Sequence, residues 1–165
     1  MSGRSRLFHN IGLGSQKRNR VSNAQRIIQD INRIRYNHSI ANFNNYSNFF
    51  EHEFACKCGC GISETSKILL DLLQIARLIY GKKMFINSGC RCKSHNARVG
   101  GNPNSHHITE RNNPCKAVDI RFNDTNEAIE MVRALLFAGF KRIGINWRLS
   151  FIHADVGNGQ ALFSY

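Results

Sequence analysis

Regular spacing of apolar residues predicts two helices in the second half of this chain. Apolar residues recur at intervals of three and four between positions 63 and 80, and Gly81 stands where such a helix would end. A second helix is predicted to begin at Asp124, because Glu127 follows three residues later as in a capping box, and to end at Gly139.

Short apolar or alternating runs predict strands at residues 84–86, 117–120, 143–146 and 151–156. The last two runs form a hairpin joined around residues 147–149. Helices followed by paired strands indicate an α+β fold, in which helices flank a small antiparallel sheet, rather than a doubly wound parallel sheet.

Two of the predicted strands carry polar side chains that need an explanation. Asp119 lies within the apolar run 117–120, and His153 and Asp155 share one face of the run 151–156. A carboxylate in a buried strand is costly unless it is paired or bound to metal. Each residue alone fits an ordinary strand-end acid or a hydrogen-bonded core histidine, but together they indicate a site.

His107, in a Ser-His-His segment that begins at Ser105, completes a set of two imidazoles and one carboxylate. Three such ligands with an open fourth position are typical of catalytic zinc. The sequence therefore predicts a zinc site on the sheet with His107, Asp119 and His153 as metal ligands. His106 is the alternative to His107.

Several further segments occur in a recognisable order along the chain, at residues 53–61, 87–91, 94–102, 105–107, 117–119 and 153. Together they resemble the zinc D-alanyl-D-alanine carboxypeptidases and phage peptidoglycan endopeptidases, or endolysins, whose fold is shared by the hedgehog amino-terminal domain. The resemblance covers about residues 49 to 165.

This resemblance implies a zinc metallopeptidase that cuts stem peptides of bacterial peptidoglycan, as a carboxypeptidase or an endopeptidase. One catalytic Zn²⁺ would lower the pKa of its bound water toward about 7. The resemblance also implies that Arg91 and Ser105 are substrate-binding residues. The guanidinium of Arg91 suits a substrate carboxylate, and Ser105 would orient the site through a hydrogen bond.

The chain departs from the family pattern in two places. Residues 110–114 resemble an insertion, and Cys115 stands where the family has glycine. Related enzymes carry a general base shortly before the distal histidine, but this chain has Arg148, Ser150 and Phe151 there. Asp155 is therefore predicted to be the catalytic base.

Positive charge is concentrated near the start of the chain. The first 40 residues supply +7 of the formal net charge of +12. We expect residues 1–47 to form a basic, partly mobile leader with one amphipathic helix between about Asn23 and Tyr36, and residues 48–165 to form the metallopeptidase domain. The basic helix could bind an anionic polymer, nucleic acid or a membrane surface, or it could simply pack on the domain.

The chain has no apolar run of about 18 residues, so no transmembrane segment is expected. It also lacks the apolar region of a classical signal peptide. We therefore expect the protein in the host cytoplasm before it reaches the cell wall, or associated with a virion.

Six cysteines lie at positions 56, 58, 60, 90, 92 and 115. The first three alternate with other residues, which is not the paired spacing of common zinc motifs. Free thiols in a reducing compartment are favoured over a second metal site, and a cysteine nucleophile is a weaker alternative.

Three functions from different classes follow from the sequence. The first is a peptidoglycan-cleaving zinc peptidase. The second is a zinc-containing binding module of the same fold that has lost catalysis, which the absent upstream base favours. The third is a virion-associated basic protein that binds nucleic acid through its leader.

Overall fold

The structure, a computed structural model, describes residues 39–165, so the predicted leader helix lies outside the described residues. In chain order the elements are α1 (Glu51–Phe54), α2 (Lys67–Tyr80), β1 (Phe85–Ser88), α3 (Lys93–Arg98), β2 (Ala117–Arg121), α4 (Thr125–Ala138), β3 (Arg142–Asn146), β4 (Phe151–Asp155) and β5 (Ala161–Ser164). The sequence patterns predicted α2, α4 and β1 to β4, but not α1, α3 or β5.

The five strands form one sheet in the order β1-β2-β4-β3-β5. The first four strands pair antiparallel, whereas β5 lies parallel to β3. The α+β class is thus confirmed, with a mixed sheet. Arg142, at the start of β3, faces both Asp155 and Ala161. Because β4 ends beside the start of β3, a short connection brings the chain across and starts β5 in the direction of β3.

The two long helices end where local signals predicted. Gly81 and Gly139 follow them with φ of 73° and 107°, in the left-handed region that glycine adopts without strain. The Asp124 carboxylate accepts a hydrogen bond from the Glu127 backbone N–H at 2.9 Å and begins α4. The helix predicted from residue 63 begins at Lys67, because the preceding residues 65 and 66 are bridged to other segments.

Alternation along the strands divides the sheet into an apolar face and a polar face. Val118, Ile120 and Ile152 are buried in the core with the apolar sides of α2 and α4. Their neighbours Asp119 and His153 therefore point to the opposite face of the sheet. Packing of the helices on one side leaves the other side for the site.

Residues near the start of the described part pack on the domain. Tyr46 is buried and its hydroxyl donates to Asp71 at 2.8 Å, and Phe43 lies with its ring centroid 5.4 Å from that of Phe54. The domain boundary after residue 47 stays a prediction. Among residues 39–165, no helix is both long enough and apolar enough to cross a bilayer.

Candidate metal centre

Strand pairing and one loop bring the three predicted ligands together. Asp119 of β2 lies directly opposite His153 of β4. His107 enters from the loop before β2, whose position is held by a hydrogen bond of 2.8 Å from the Arg91 N–H to the His107 carbonyl. Nε2 of His107 lies 3.2 Å from Oδ1 of Asp119 and 3.2 Å from Nδ1 of His153. The last pair, Nδ1 of His153 and Oδ1 of Asp119, is 3.0 Å apart.

Hydrogen bonds on the far sides of both rings assign the tautomers of the two histidines. Nδ1 of His107 lies 2.7 Å from the carbonyl oxygen of Gly89, and Nε2 of His153 lies 3.1 Å from Oδ2 of Asp155. A carbonyl or carboxylate oxygen only accepts, so those two ring nitrogens carry protons. The opposite nitrogen of each neutral ring then presents a lone pair to the carboxylate of Asp119.

Three acceptor atoms facing one another in a buried site repel unless a cation or proton lies among them. Zinc bonds of about 2.0–2.1 Å in a tetrahedron would separate such ligands by about 3.4 Å. The spacings of 3.0–3.2 Å are close to that value. The donor set and its geometry therefore fit Zn²⁺ with one coordination position left for water or substrate.

Burial and hydrogen bonding shift the pKa values of all three groups. Burial lowers the pKa of His107. Burial also opposes ionisation of Asp119, but hydrogen bonds that His107 and His153 donate in their protonated forms outweigh it and hold the pKa of this carboxyl well below its usual range. For His153, burial is outweighed by hydrogen bonds to Asp119 and Asp155, and its pKa is raised. Asp119 is thus ionised at neutral pH.

Arg91 contacts the second oxygen of the candidate ligand Asp119. Its Nη2 lies 2.7 Å from Oδ2 of Asp119, and its Nε donates to Ser88 Oγ at 2.9 Å. The side chain is 16% exposed, so part of the guanidinium can be reached from solvent. The residue predicted to bind substrate therefore lies at the site and contacts a candidate metal ligand.

Asp155, the predicted base, lies behind His153 rather than beside the open part of the cluster. Its carboxylate accepts hydrogen bonds from Arg142 Nε at 2.8 Å and the Gly157 N–H at 2.8 Å, and contacts His106 Nδ1 at 2.9 Å. Burial would raise its pKa, but the hydrogen bond with His153 and other contacts lower it to about 2. This geometry favours a positioning role; the base assignment itself stays a prediction.

Ser105 and His106 have distinct places beside the cluster. The Ser105 hydroxyl accepts a hydrogen bond of 3.3 Å from the backbone N–H of His107, which agrees with the predicted orienting role. His106 contacts Asp155 and is not one of the three clustered ligands. The geometry therefore does not support His106 as a metal ligand in place of His107.

An aromatic wall, formed by Phe163 and Tyr165, stands beside the cluster and was missed from the sequence. The Phe163 ring centroid lies 5.9 Å from that of His153 and 5.5 Å from that of Tyr165. Gly144 permits this approach, because a Cβ there would lie 2.3 Å from the Phe163 ring. Burial and the charge of Asp119 raise the pKa of Tyr165 to about 12.

The sequence also missed Arg142 and the Gly89 carbonyl as supports of the ligands. The hairpin register, which sets Arg142 opposite Asp155, was a usable signal for the first. A backbone carbonyl leaves no signal in residue identity, so the second required the structure.

A family model described as Peptidase M15 matches residues 46–155. The chain belongs to the peptidase M15 family. Members of this family are zinc-dependent, and the matched segment contains the whole His107, Asp119 and His153 cluster of this M15 peptidase. The resemblance to zinc D-alanyl-D-alanine carboxypeptidases is thereby confirmed at the level of the family. A sequence comparison with curated proteins gave no match.

Proposed function

We propose that this M15 peptidase is a zinc metallopeptidase that hydrolyses peptide bonds in the stem peptides of bacterial peptidoglycan. The observation that carries the proposal is the convergence of three buried ligand atoms, from His107, Asp119 and His153, within 3.0–3.2 Å of one another. Three protein ligands are the number that catalytic zinc sites use.

The three clustered residues would hold the ion through His107 Nε2, Asp119 Oδ1 and His153 Nδ1. When bound, zinc supplies a nucleophilic water near neutral pH and polarises the scissile carbonyl. The protein's own part is to fix the ligands, because small displacements of ligands or substrate change rates strongly.

Hydrogen bonds from the protein orient each ligand. The Gly89 carbonyl holds the proton on Nδ1 of His107, and Asp155 holds the proton on Nε2 of His153. Such outer contacts fix the ring orientation and raise the basicity of the coordinating nitrogen. In this proposal Asp155 is a positioning residue for His153.

Arg91 has two roles in the proposed mechanism. Its contact with Oδ2 of Asp119 leaves Oδ1 directed to the cluster. The other N–H groups of its partly exposed guanidinium can hold a carboxylate of the stem peptide or the negative charge that develops on the scissile carbonyl oxygen.

Two features support peptidoglycan as the substrate. The sequence segments that carry the family resemblance are similar to those of enzymes that act on this polymer. The formal net charge of +12 would also attract the protein to an anionic envelope. An endolysin-like role in a bacteriophage or prophage, with the protein held in the host cytoplasm or virion before it reaches the wall, is part of this proposal.

A zinc-binding module without catalysis is the second candidate. It is favoured by the position of Asp155 behind His153 and by Arg148, Ser150 and Phe151 in place of the expected base. This candidate shares the metal site, so only turnover distinguishes it from the first.

The test combines zinc content with release of new amino groups from purified peptidoglycan, for wild type and His153→Ala. His52→Ala is the matched control, since His52 is exposed and lies outside the cluster. Turnover that is lost in His153→Ala and kept in His52→Ala would support the peptidase. Zinc lost in His153→Ala without turnover in wild type would support the binding module. Mass spectrometry of the products distinguishes release of terminal D-alanine from internal cleavage.

For the basic leader we propose binding to an anionic polymer, either a wall polymer or nucleic acid. Its charge of +7 over the first 40 residues supports this proposal. Replacing Arg18 and Arg20 by Gln in the full chain should weaken binding and reduce its salt dependence, while the same change at Arg98 and Arg133 should not. Equal effects of both pairs would contradict a specific role of the leader.

A further inference from the structure

Four cysteines form a second cluster at some distance in sequence from the candidate catalytic ligands. Cys56, Cys58 and Cys60 come from the loop after α1, and Cys92 comes from the turn after β1. The Sγ atoms of all four residues lie within 4.8 Å of one another. We infer that these four thiolates bind a structural zinc ion, separate from the His107, Asp119 and His153 cluster.

The two sulfur spacings at Cys58 agree with tetrahedral coordination. Sγ of Cys58 lies 3.4 Å from that of Cys56 and 3.7 Å from that of Cys92. Four Zn–S bonds of about 2.3 Å in a tetrahedron separate the sulfurs by about 3.8 Å. A disulfide needs about 2.05 Å between its sulfurs, and all four cysteines are free. Four protein ligands leave no open position, which is typical of structural rather than catalytic zinc.

The loop conformation explains how closely spaced cysteines can share one ion. Gly59 and Gly61 have φ of 80° and 79°, so the chain turns sharply after Cys58 and again after Cys60. The Gly59 N–H donates to the Cys56 carbonyl at 3.2 Å, and the Cys56 N–H donates to the Ile62 carbonyl at 2.8 Å. The loop thus curls around its three sulfurs.

Backbone N–H groups point at the sulfurs as they do around metal-bound thiolates. The Cys92 N–H lies 3.4 Å from Cys56 Sγ, and the His95 N–H lies 3.3 Å from Cys92 Sγ. Such contacts stabilise negative sulfur and orient ligands. Lys57 lies between Cys56 and Cys58 in sequence and adds one positive charge near the four thiolates that would surround a divalent ion.

The sequence favoured free thiols here, because the Cys-x-Cys-x-Cys run supplies three ligands at unusual spacing. The fold adds the fourth by bringing the turn after β1 against the loop after α1. At this contact the Cys90 N–H donates to the Phe54 carbonyl at 2.8 Å. Gly89 passes so close that a Cβ there would lie 2.7 Å from Phe54 Cα.

The same turn supports the candidate catalytic ligands. The Gly89 carbonyl accepts from His107, and Arg91 contacts Asp119. Zinc at the four cysteines would therefore stabilise the turn between residues 88 and 92 and, through it, two of the three ligands of the other centre.

Metal content of the full chain, purified under reducing conditions without chelator, tests this inference. We expect about two zinc ions per chain in wild type. The Cys58→Ser/Cys60→Ser double variant and His153→Ala should each lose about one. Cys90→Ala is the matched control and should keep both, since Cys90 lies outside the cluster. If the cysteine double variant loses one zinc ion and His153→Ala loses none, the cysteine site stands and the proposed catalytic site fails. The reverse result has the opposite meaning.

Cobalt substitution of wild type keeps the test valid if the double variant fails to fold. Thiolate coordination should give an intense near-ultraviolet charge-transfer band, which persists in His153→Ala and Cys90→Ala. Mercurial titration of wild type should release zinc as thiols react. A wild type with about one zinc that His153→Ala removes, absence of the cobalt band, iron in place of zinc, or a native disulfide among the four cysteines would each overturn the inference.

Discussion

His153 Nε2 lies 3.1 Å from Asp155 Oδ2, so the imidazole of a candidate metal ligand separates this carboxylate from the rest of the cluster. In Asp155→Asn we expect zinc affinity to fall about 10–100-fold, because the carboxylate no longer fixes the proton on Nε2. Turnover in excess zinc should fall less. The measurement is zinc Kd by chelator competition, together with kcat at saturating zinc.

The opposite pattern would restore the base assignment for Asp155. A general base contributes typically 10²–10⁴-fold to the rate, so its loss would reduce kcat strongly while zinc affinity stayed the same. Asp124→Asn is the control, because asparagine also caps a helix and the residue is remote from the cluster.

Arg91→Lys tests the two roles proposed for the guanidinium. A lysine ammonium cannot reproduce the paired contacts to Ser88 and Asp119. We expect kcat/KM to fall by about 10–100-fold, equivalent to about 1.4–2.8 kcal/mol. A rise in KM at unchanged zinc affinity would indicate substrate binding, and weaker zinc binding would indicate orientation of Asp119. Wild-type kinetics in Arg91→Lys would contradict both, and the exposed Arg98→Lys is the control.

Gly144→Ala tests the packing of the aromatic wall. The new methyl group would lie 2.3 Å from the Phe163 ring, so the ring or β5 must move. Overpacking of this kind typically costs about 1–3 kcal/mol of stability. Chemical denaturation should show this loss of stability. In a chain that already carries Phe163→Ala, most of the loss caused by Gly144→Ala should disappear. Additive effects of the two changes would show that the clash is not the cause. Ser164→Ala, at an exposed position of β5, is the control.

Tyr80→Phe tests the contact between α2 and α4. The Tyr80 hydroxyl donates to Glu127 Oε1 at 2.8 Å, and burial followed by this hydrogen bond raises the pKa of Tyr80. Removing a hydroxyl that donates to a carboxylate should lower the free energy of unfolding by about 1–2 kcal/mol at pH 7. Glu127→Gln combined with Tyr80→Phe gives the coupling between the two groups.

The pH dependence of this loss has a definite sign. Burial opposes ionisation of Glu127, but hydrogen bonds from Asn123 and Tyr80 outweigh it and lower its pKa from 4.5. A carboxyl whose pKa is lower in the folded state than in the unfolded state stabilises the fold at pH values above its unfolded pKa. This stabilisation is lost as the pH falls through the pKa of the folded state. The difference between wild type and Tyr80→Phe should therefore shrink below about pH 4. A constant difference from pH 7 to pH 3 would contradict the charge-assisted contact.

The α+β class, the helix ends and the candidate metal-ligand set were accessible from the sequence because each leaves a short-range signal. A left-handed φ at Gly81 and Gly139 and a capping carboxylate at Asp124 depend on neighbours within one turn. A single acid or histidine in an apolar alternating run stands out for the same reason, since burial without a partner is costly.

The tertiary structure decided what depends on segments remote in the chain. The parallel placement of β5, the contact of Asp155 with the far nitrogen of His153, and the joining of Cys92 to the cysteine loop all follow from strand register and from one turn packed on another. Residue identity and spacing set which side chains can pair or bind. Only the folded backbone sets which of them come within bonding distance, because contact between remote segments depends on packing of the whole domain.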